Sequence, residues 1–466
     1  NYELDDYNSL FVKTMYSHRD DLENRFRLRI GNIDDWIADP SVGVRVRKQT
    51  KGGIGDDIND NKRLEEQILK KISFGGEHQL GLITMDWKIS TSKASEARPN
   101  ERYVRFQNSS VPLESIDISN PEFPIFNFDG DIWNTPSEYS FRFFQDAQKY
   151  TQEENSSFAL NFEFPYNDDD DKFKFGAKYK IKDKLRNDIW YEYDDVFAYS
   201  SMADANIFNA SIDGYLPGDE YQLGNFATAE WLGSQILSPS DGELILDEFA
   251  GGNYTADEKI TAFYLMATDK LSDKTTIIIG ARFENTDVDY TGNVYDEDTD
   301  ETLDDVEVVS GGSTYSNILP SLNLQHEFSD KLVANFAFSN SIARPDYYDL
   351  VPYQVLVSSD QEIEVGNPDL EASLSNNFDL VFDYYMGGTA LISLGTFYKN
   401  IDNWLYEFTD NDYTYNGESN WEYSQLRNGS RAEVIGLEFG LQTRLLNNFT
   451  LMANYTYTDS NTDEIE

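Results

Sequence analysis

The sequence predicts an all-β fold, a transmembrane antiparallel up-and-down β-barrel with long extracellular loops, and three observations carry that prediction. Apolar residues recur at every second position in the readable segments. The connections between those segments alternate between tight turns and long polar stretches. Aromatic residues are abundant, with 30 Phe, 30 Tyr and 7 Trp, and many stand at segment ends, where a membrane barrel places amphipathic rings at both interfaces. A rich supply of Tyr and Phe also suits any β-protein, so the third observation supports the first two and does not replace them.

The alternation is clearest in "SSFALNFEFPY", where Phe158, Leu160, Phe162 and Phe164 share one face and Ala159, Asn161 and Glu163 the other. After "NDDDD" it resumes in "KFKFGAKYKIK", with Phe173, Phe175, Ala177, Tyr179 and Ile181 set against Lys172, Lys174, Gly176, Lys178 and Lys180. The two runs read as a hairpin. "RFRLRI" sets Phe26, Leu28 and Ile30 against Arg25, Arg27 and Arg29, and "VIGLEFGLQTR" sets Ile435, Leu437, Phe439 and Leu441 against Gly436, Glu438, Gly440, Gln442 and Arg444. Each segment has an oily face and a wet one.

Tight turns are legible at "KLSDKT", "FSDK", "MGGT" and "LLNN", and long polar segments lie near 183–257, 287–313, 344–374 and 409–421. An outer-membrane barrel sorts its connections by parity in this way, short at the periplasmic end and long outside. A soluble β-sandwich has no need to. The pattern gives about 14 strands between Asn8 and Tyr457, an even number as such barrels require.

In "LVANFAFSNSIARPDYYDLVPYQ", Leu332, Ala334, Phe336 and Phe338 are expected to face lipid, and Val333, Asn335, Ala337 and Ser339 the lumen. Pro345 has no N–H for the ladder and ends the strand at the outer rim. Gly366, Asn367 and Pro368 then turn the chain before "LSNNFDLVF" descends.

Bulk composition narrows the partners. With 84 acidic and 37 basic residues, the formal net charge is −47. Such a surface repels phosphate backbones, so nucleic acid is not expected as a partner. The absence of cysteine removes disulfides, thiolate nucleophiles and cysteine metal sites. The first residues, "NYELDDYNSL", contain neither a Met nor a basic and apolar leader, and read as a mature product or a fragment. No run approaches the roughly 18 apolar residues of a membrane helix, which leaves strands as the only means of crossing a bilayer.

Three stretches together carry a family resemblance: "SNSIARPDYYDLVP", "GNPDLEASLSNNFDLVFDYYMGGTALISLGTFYKNIDNWLY" and "NGSRAEVIGLEFGLQTRLLNNFTLMANYTYTDS". Their Ala-Arg-Pro, Gly-Asn-Pro-Asp-Leu and Asn-Tyr-Thr-Tyr elements, at these spacings, resemble the C-terminal half of the barrel of TonB-dependent outer-membrane receptors. Upstream, "LFVKTMYSHRDDLENRFRLRI", "GEHQLGLITMDWKISTSKASEARPNERYVRF" and "FKFGAKYKIKDK" are similar to barrel strands of a large subfamily associated with uptake of oligosaccharides and other complex nutrients. The resemblance implies that residues 1–466 are part of a barrel of about 22 strands, with the plug domain, first strands and C-terminal strands outside this chain. It also implies residence in the cell outer membrane among its lipids, a TonB-type energy-coupling protein acting through the plug, and import of a scarce solute. A carbohydrate is the first expectation for that solute and an iron-siderophore the second. The chain departs from the family pattern at Glu371, Ala372 and Ser373, where Lys-Pro-Glu often follows Gly-Asn-Pro-Asp-Leu.

Two other functions fit parts of the pattern. A barrel without a plug is a passive porin, and a secreted β-rich protein that binds or hydrolyses polysaccharide fits the acidity and aromatics but not the turn parity. No catalytic residue is assigned and no enzyme activity is expected: His18, His78 and His326 are scattered, and no nucleophile elbow, phosphate loop or paired-His motif is present. Carboxylates are numerous enough that a glycosidase pair on distant strands leaves no motif to find.

Cofactors are not expected, with one candidate exception. "DEDTDETLDDVE" places Asp296, Asp298 and Asp300 at positions one, three and five of a calcium loop, Leu303 at eight and Glu307 at twelve. Glu301 stands where the loop wants Gly, and the same residues also read as a solvated external loop. For the solute, exposed aromatics stack on sugars and acids accept hydroxyl hydrogen bonds. Trp133, Trp190, Trp231, Trp404 and Trp421 and the pairs Tyr347-Tyr348 and Tyr384-Tyr385 read as external-loop rings that either bind or pack. The substrate-binding candidates are Arg344, Asp346, Tyr347, Trp404 and Trp421. Arg25, Arg27, Arg29, Lys174 and Lys178 are candidate lumen residues, which line a path, meet the plug or pair with acids across the lumen.

Overall fold

The computed structural model describes residues 2–167, 171–194, 198–215, 222–357, 361–387, 390–446 and 449–463. One sheet of 21 strands dominates, and its wall consists of long antiparallel strands, each hydrogen-bonded to the next in the chain. They are β1 (Asn8–Glu23), β2 (Arg63–Leu80), β3 (Ile83–Val111), β4 (Ser140–Pro165), β5 (Lys172–Tyr193), β6 (Tyr254–Ser272), β7 (Thr275–Asp296), β8 (Glu307–Ser329), β9 (Leu332–Ala343), β10 (Ser373–Gly387), β11 (Ala390–Asp402), β12 (Arg431–Leu446) and β13 (Phe449–Thr462). No described helix is long and apolar enough to cross a membrane.

The parity of the connections is as the sequence indicates. The β2–β3, β6–β7 and β8–β9 pairings close on tight turns, while the links after β1, β3, β5, β7, β9 and β11 are longer and gather at the opposite end, the mouth. The centres of the "NDDDD", "MGGT" and "LLNN" turns lie outside the described residues. The count of about 14 is corrected to thirteen wall strands among the described residues. "RFRLRI" (Arg25–Gly31) is not a separate span: it pairs with Val44–Gly52 in a hairpin above β1 and β2, and that hairpin joins only the upper part of β3.

Register confirms which face is oily. Phe158, Leu160, Phe162 and Phe164 on β4 stand opposite Tyr179, Ala177, Phe175 and Phe173 on β5. Phe336 and Phe338 on β9 stand opposite Leu324 and Leu322 on β8. These outward rings are partly or largely exposed in the isolated chain, the expected state of residues that lipid covers. Tyr384 and Tyr385 are not on an external loop, since they lie near the turn end of β10.

The strands continue past this apolar band, and protein covers their upper parts, on the outer face of the hairpin and β3–β5 and on the inner face of β6 and β7. On the outer face, residues 198–215 and 222–235 pack on the sheet extension, burying Val46, Val104, Phe106 and Phe144 under Met202, Trp231 and Leu232. Thr50 Oγ1 donates to the Ala227 carbonyl at 2.7 Å, and Arg102 Nη1 to that of Gln235 at 2.9 Å. On the inner face, the link after β9 turns into the mouth, and Leu350, Val351 and Tyr353 pack on Ala256, Val288 and Tyr290 of β6 and β7.

Candidate functional site

Arg344 organises the inner face of the mouth. Pro345 is buried and β9 ends at Ala343, so the next residue leaves the ladder and turns inward. Its guanidinium reaches back past β8 to β7, where Nη2 donates to Glu284 at 2.7 Å and to Thr286 Oγ1 at 2.9 Å. Nε lies 3.8 Å from Glu258 on β6. Charge-assisted contacts of this kind are the strong class of hydrogen bond, and here they tie the start of a loop to the lumen wall.

Tyr347 opens a one-turn helix, Tyr347–Leu350, directly after this tie. The Lys182 ammonium of β5 lies 4.7 Å above its ring, and Lys182 also approaches Glu153 of β4 at 3.5 Å. Burial, then the negative charge of Glu258, pushes the Tyr347 phenol far up, so it remains a neutral donor. Asp346 precedes the helix, is exposed, and makes no side-chain cap bond. The structure therefore brings Arg344 and Tyr347 together at Glu258, with Asp346 beside them facing solvent.

The same loop is closed by a second cluster. Tyr353 donates to Glu364 at 2.6 Å and Tyr348 donates to it at 3.2 Å, with the two rings stacked at 4.7 Å. Burial pushes the Tyr348 phenol up to about 12, and burial with the charges of Asp346 and Glu364 raises the Asp349 carboxyl. Gly366 is required here, because a Cβ at that position would sit 1.8 Å from the Val351 carbonyl oxygen. Asn367 donates from Nδ2 to the Leu426 carbonyl at 2.9 Å, and the Pro368 carbonyl accepts from Tyr290 at 3.1 Å. Gly-Asn-Pro-Asp is thus more than a turn, since it fastens the loop after β9 to β7 and to the loop after β11.

Trp404 and Trp421 lie apart from this network. Trp404 packs on Tyr406 and Gly429, and Trp421, 3% exposed, is buried with Leu356, Ile363 and Tyr415. Trp133 stacks on Phe128, Trp231 lies in the outer-layer core, and Trp190 is on β5, stacked on Tyr103. These rings hold loops and strands together. Glu258, Glu284, Lys182 and Glu364 went unnamed in the sequence, although the lysine alternation of β5 was a usable signal for Lys182.

In the acidic segment 296–307, carboxylates turn to their own backbone: Asp300 accepts from the Asp296 amide at 3.0 Å and Asp296 from the Asp298 amide at 2.9 Å. Among the described residues, the one group of three metal-ligating side chains with converging ligand atoms is His18, Asp20 and Glu66 on the outer side of β1 and β2, the first two exposed and Glu66 half-buried. His78 bonds Asn8 and Trp87, and His326 bonds Thr275.

A family model described as "Outer membrane protein beta-barrel family" matches residues 232–466, just over half of the chain. No curated protein matches. Among solved structures, the chain is similar to the ferric yersiniabactin uptake receptor FyuA from Yersinia pestis, with 11% identity and a TM-score of 0.45 over 90% of this chain and 49% of that one. It is also similar to the siderophore receptor PirA from Pseudomonas aeruginosa (14% identity, TM-score 0.42, 97% of this chain and 67% of that one). A third is the siderophore receptor PiuA from Acinetobacter baumannii (12%, 0.46, 98% and 57%). The chain spans about half the length of the Yersinia receptor.

Proposed function

This chain belongs to the outer membrane protein β-barrel family, and from that premise we propose that it is barrel wall and mouth of an active transporter of the TonB-dependent type. It captures a scarce solute outside and imports it with energy delivered by a periplasm-spanning coupling protein. The observation that carries this reading is the loop after β9. Arg344, Gly366 and Asn367 fasten it against the lumen wall, so that it turns into the mouth and sets Tyr347 and Asp346 there, with Lys182 of β5 against the Tyr347 ring. Such a mouth offers a selective receptor fixed side chains with which to hold a solute. The Ala-Arg-Pro and Gly-Asn-Pro-Asp-Leu elements that resemble TonB-dependent receptors are the residues that build it.

Carbohydrate stays the first substrate reading, on the subfamily resemblance and the tyrosines at the mouth, and an iron-siderophore the second. Trp404 and Trp421 contribute less to the sugar reading, because their rings pack loops. Uptake in cells carrying the complete receptor is the test. Accumulation of a bound glycan or siderophore should collapse when the coupling protein is deleted or the inner membrane is de-energised. Uptake that persists unchanged, with steady conductance through the protein in planar bilayers, points to a porin.

A further inference from the structure

The chain is strongly acidic overall, at −47, yet one sector of the concave face of the mouth, the hairpin above β1 and β2 with the adjoining part of β3, is basic. In the hairpin above β1 and β2, Arg29 stands directly opposite Arg47, and Arg27 and Arg105 flank Gln49 on one rung. Alternation puts these groups on the face opposite Leu28, Val46 and Phe106, which pack on the outer-layer core. Like charges set opposite each other destabilise a sheet, a cost that an anion bound between them offsets.

Few protein anions do so. Among the described residues, Arg27, Arg29 and Arg105 form no ion pair with a carboxylate. Arg105 lies 4.4 Å from the centre of the Phe143 ring, and Arg47 Nε donates to Gln107 at 2.9 Å. Burial, and then chiefly the Arg47 guanidinium, pulls the Arg105 pKa down; the carboxylate that opposes the shift, Glu192, is itself held by Gln145 at 2.7 Å.

The basic surface continues down the lumen along β5. Lys178, Lys180, Lys182 and Lys184 occupy alternate positions facing inward, about 6.7 Å apart. Acids serve the two ends of this ladder, Glu163 below with Lys172 and Lys174, and Glu153 above with Lys182. The middle rungs have uncharged residues directly beside them, Lys178 between Ala159 and Ala262 and Lys180 between Ser157 and Ile260, while Glu258 beside Lys182 and Glu153 beside Lys184 act on Lys180 from the rungs above. Two adjoining recesses of about 480 and 310 Å³, within the range of small-ligand sites, share Lys184, Thr151 and Glu96 and open on this wall; the smaller adds Arg98, Lys149 and Arg186 against Asp188.

We infer that the mouth arginines capture, and the β5 lysines pass inward, a solute bearing carboxylate, sulfate or phosphate groups. Guanidinium forks match these oxyanions bidentately, and a spaced row of ammonium groups offers successive weaker sites along the path. The inference rests on the transporter reading above and names its substrate class.

The complete receptor in detergent, titrated with oligogalacturonates and with neutral galacto-oligosaccharides of equal length, tests it. The acidic oligomers should bind about ten-fold or more tightly, since hydrogen bonds to charged groups are worth about that factor each. Their affinity should fall with added salt. Arg29→Gln with Arg105→Gln should remove the preference, and Arg29→Lys with Arg105→Lys, which keeps the charge and checks folding, should remove part of it. Equal binding of acidic and neutral oligomers, or an acidic affinity unchanged by the glutamine pair, overturns the inference and leaves the transporter reading intact. Binding of lipopolysaccharide micelles without binding of soluble anions overturns it too, because the phosphate source is then the membrane. Lys178→Gln with Lys180→Gln should slow uptake of the acidic oligomer while its binding persists; unchanged uptake overturns the path. Binding that passes every test while uptake ignores de-energisation refutes only the transporter reading.

Discussion

Along a single strand, β4, the outward face is covered in two different ways. Near the turn end, Phe158 and Phe164 point outward and are 43% and 38% exposed, as lipid-facing rings are in an isolated chain. Near the mouth, Phe144 points outward on the same strand and is fully buried, 5.4 Å from Trp231 of the outer layer. Lipid asks of a side chain only that it be apolar, whereas a protein layer asks for a fitted shape and satisfied polar atoms. The lower wall is therefore tolerant of exchange among oily residues and intolerant of charge, while the mouth is sensitive to individual contacts.

The largest effect should come from charging the lipid face. Leu265 is outward on β6, between Phe175 and Ala281. Leu265→Arg should cost about 2–4 kcal/mol of barrel stability, whereas Ser157→Arg on the lumen side should stay within about 1 kcal/mol. Denaturant titration of the complete barrel refolded into bilayers measures both, and equal losses would remove the distinction between the faces.

At the mouth, single contacts should matter. Gly366→Ala forces its Cβ against the Val351 carbonyl and should release the loop after β9 at a cost of roughly 2–3 kcal/mol. Hydrogen exchange of residues 344–372 reads this out, with the wall amides of β6 and β7 unchanged. Arg344→Gln should weaken the same loop by about 2 kcal/mol, because it removes a charged hydrogen bond and leaves Glu284 and Glu258 with less compensation, their side chains only 11% and 7% exposed. If exchange rises equally in the turn-end strands, loop and wall are one cooperative unit and the comparison fails.

This division also explains what the sequence could tell. Period-two alternation at Phe158–Phe164 or Leu332–Phe338 follows directly from lipid on one side and water on the other, so strands, faces and turn parity were readable. The mouth was only partly readable. Arg344 and Tyr347 stood out beside a proline, but their partner Glu258 lies on β6, far away in sequence, and nothing in "YTADEKI" distinguishes it from any other acid. "RFRLRI" alternates just as a membrane strand does, because the outer protein layer presents an apolar surface in place of lipid. Trp421 looked like an exposed ring since its loop is polar, and only tertiary pairing with Leu356 and Ile363 buries it.

The smallest effect tests that outer layer through one buried charge. Lys48 is 1% exposed, its ammonium 5.0–5.4 Å from the rings of Trp133, Tyr139 and Phe226 and 3.1 Å from the Asn225 carbonyl that accepts from it. Burial pulls its pKa from 10.5 down to about 8. Between those two values the unfolded chain holds a proton that the folded layer has released, so stability rises with pH across that window and is flat below about 8. Linkage alone sets a limit of roughly 3 kcal/mol, and since the aromatic cage favours the charged form, the gain should be about 1–2 kcal/mol. Tryptophan emission on unfolding at pH 7, 8, 9 and 10 should show the rise, and Lys48→Met should abolish it while leaving the bilayer-embedded wall unaltered. A pH profile that survives in Lys48→Met assigns the titration to another group and would show that the outer layer holds this lysine charged throughout.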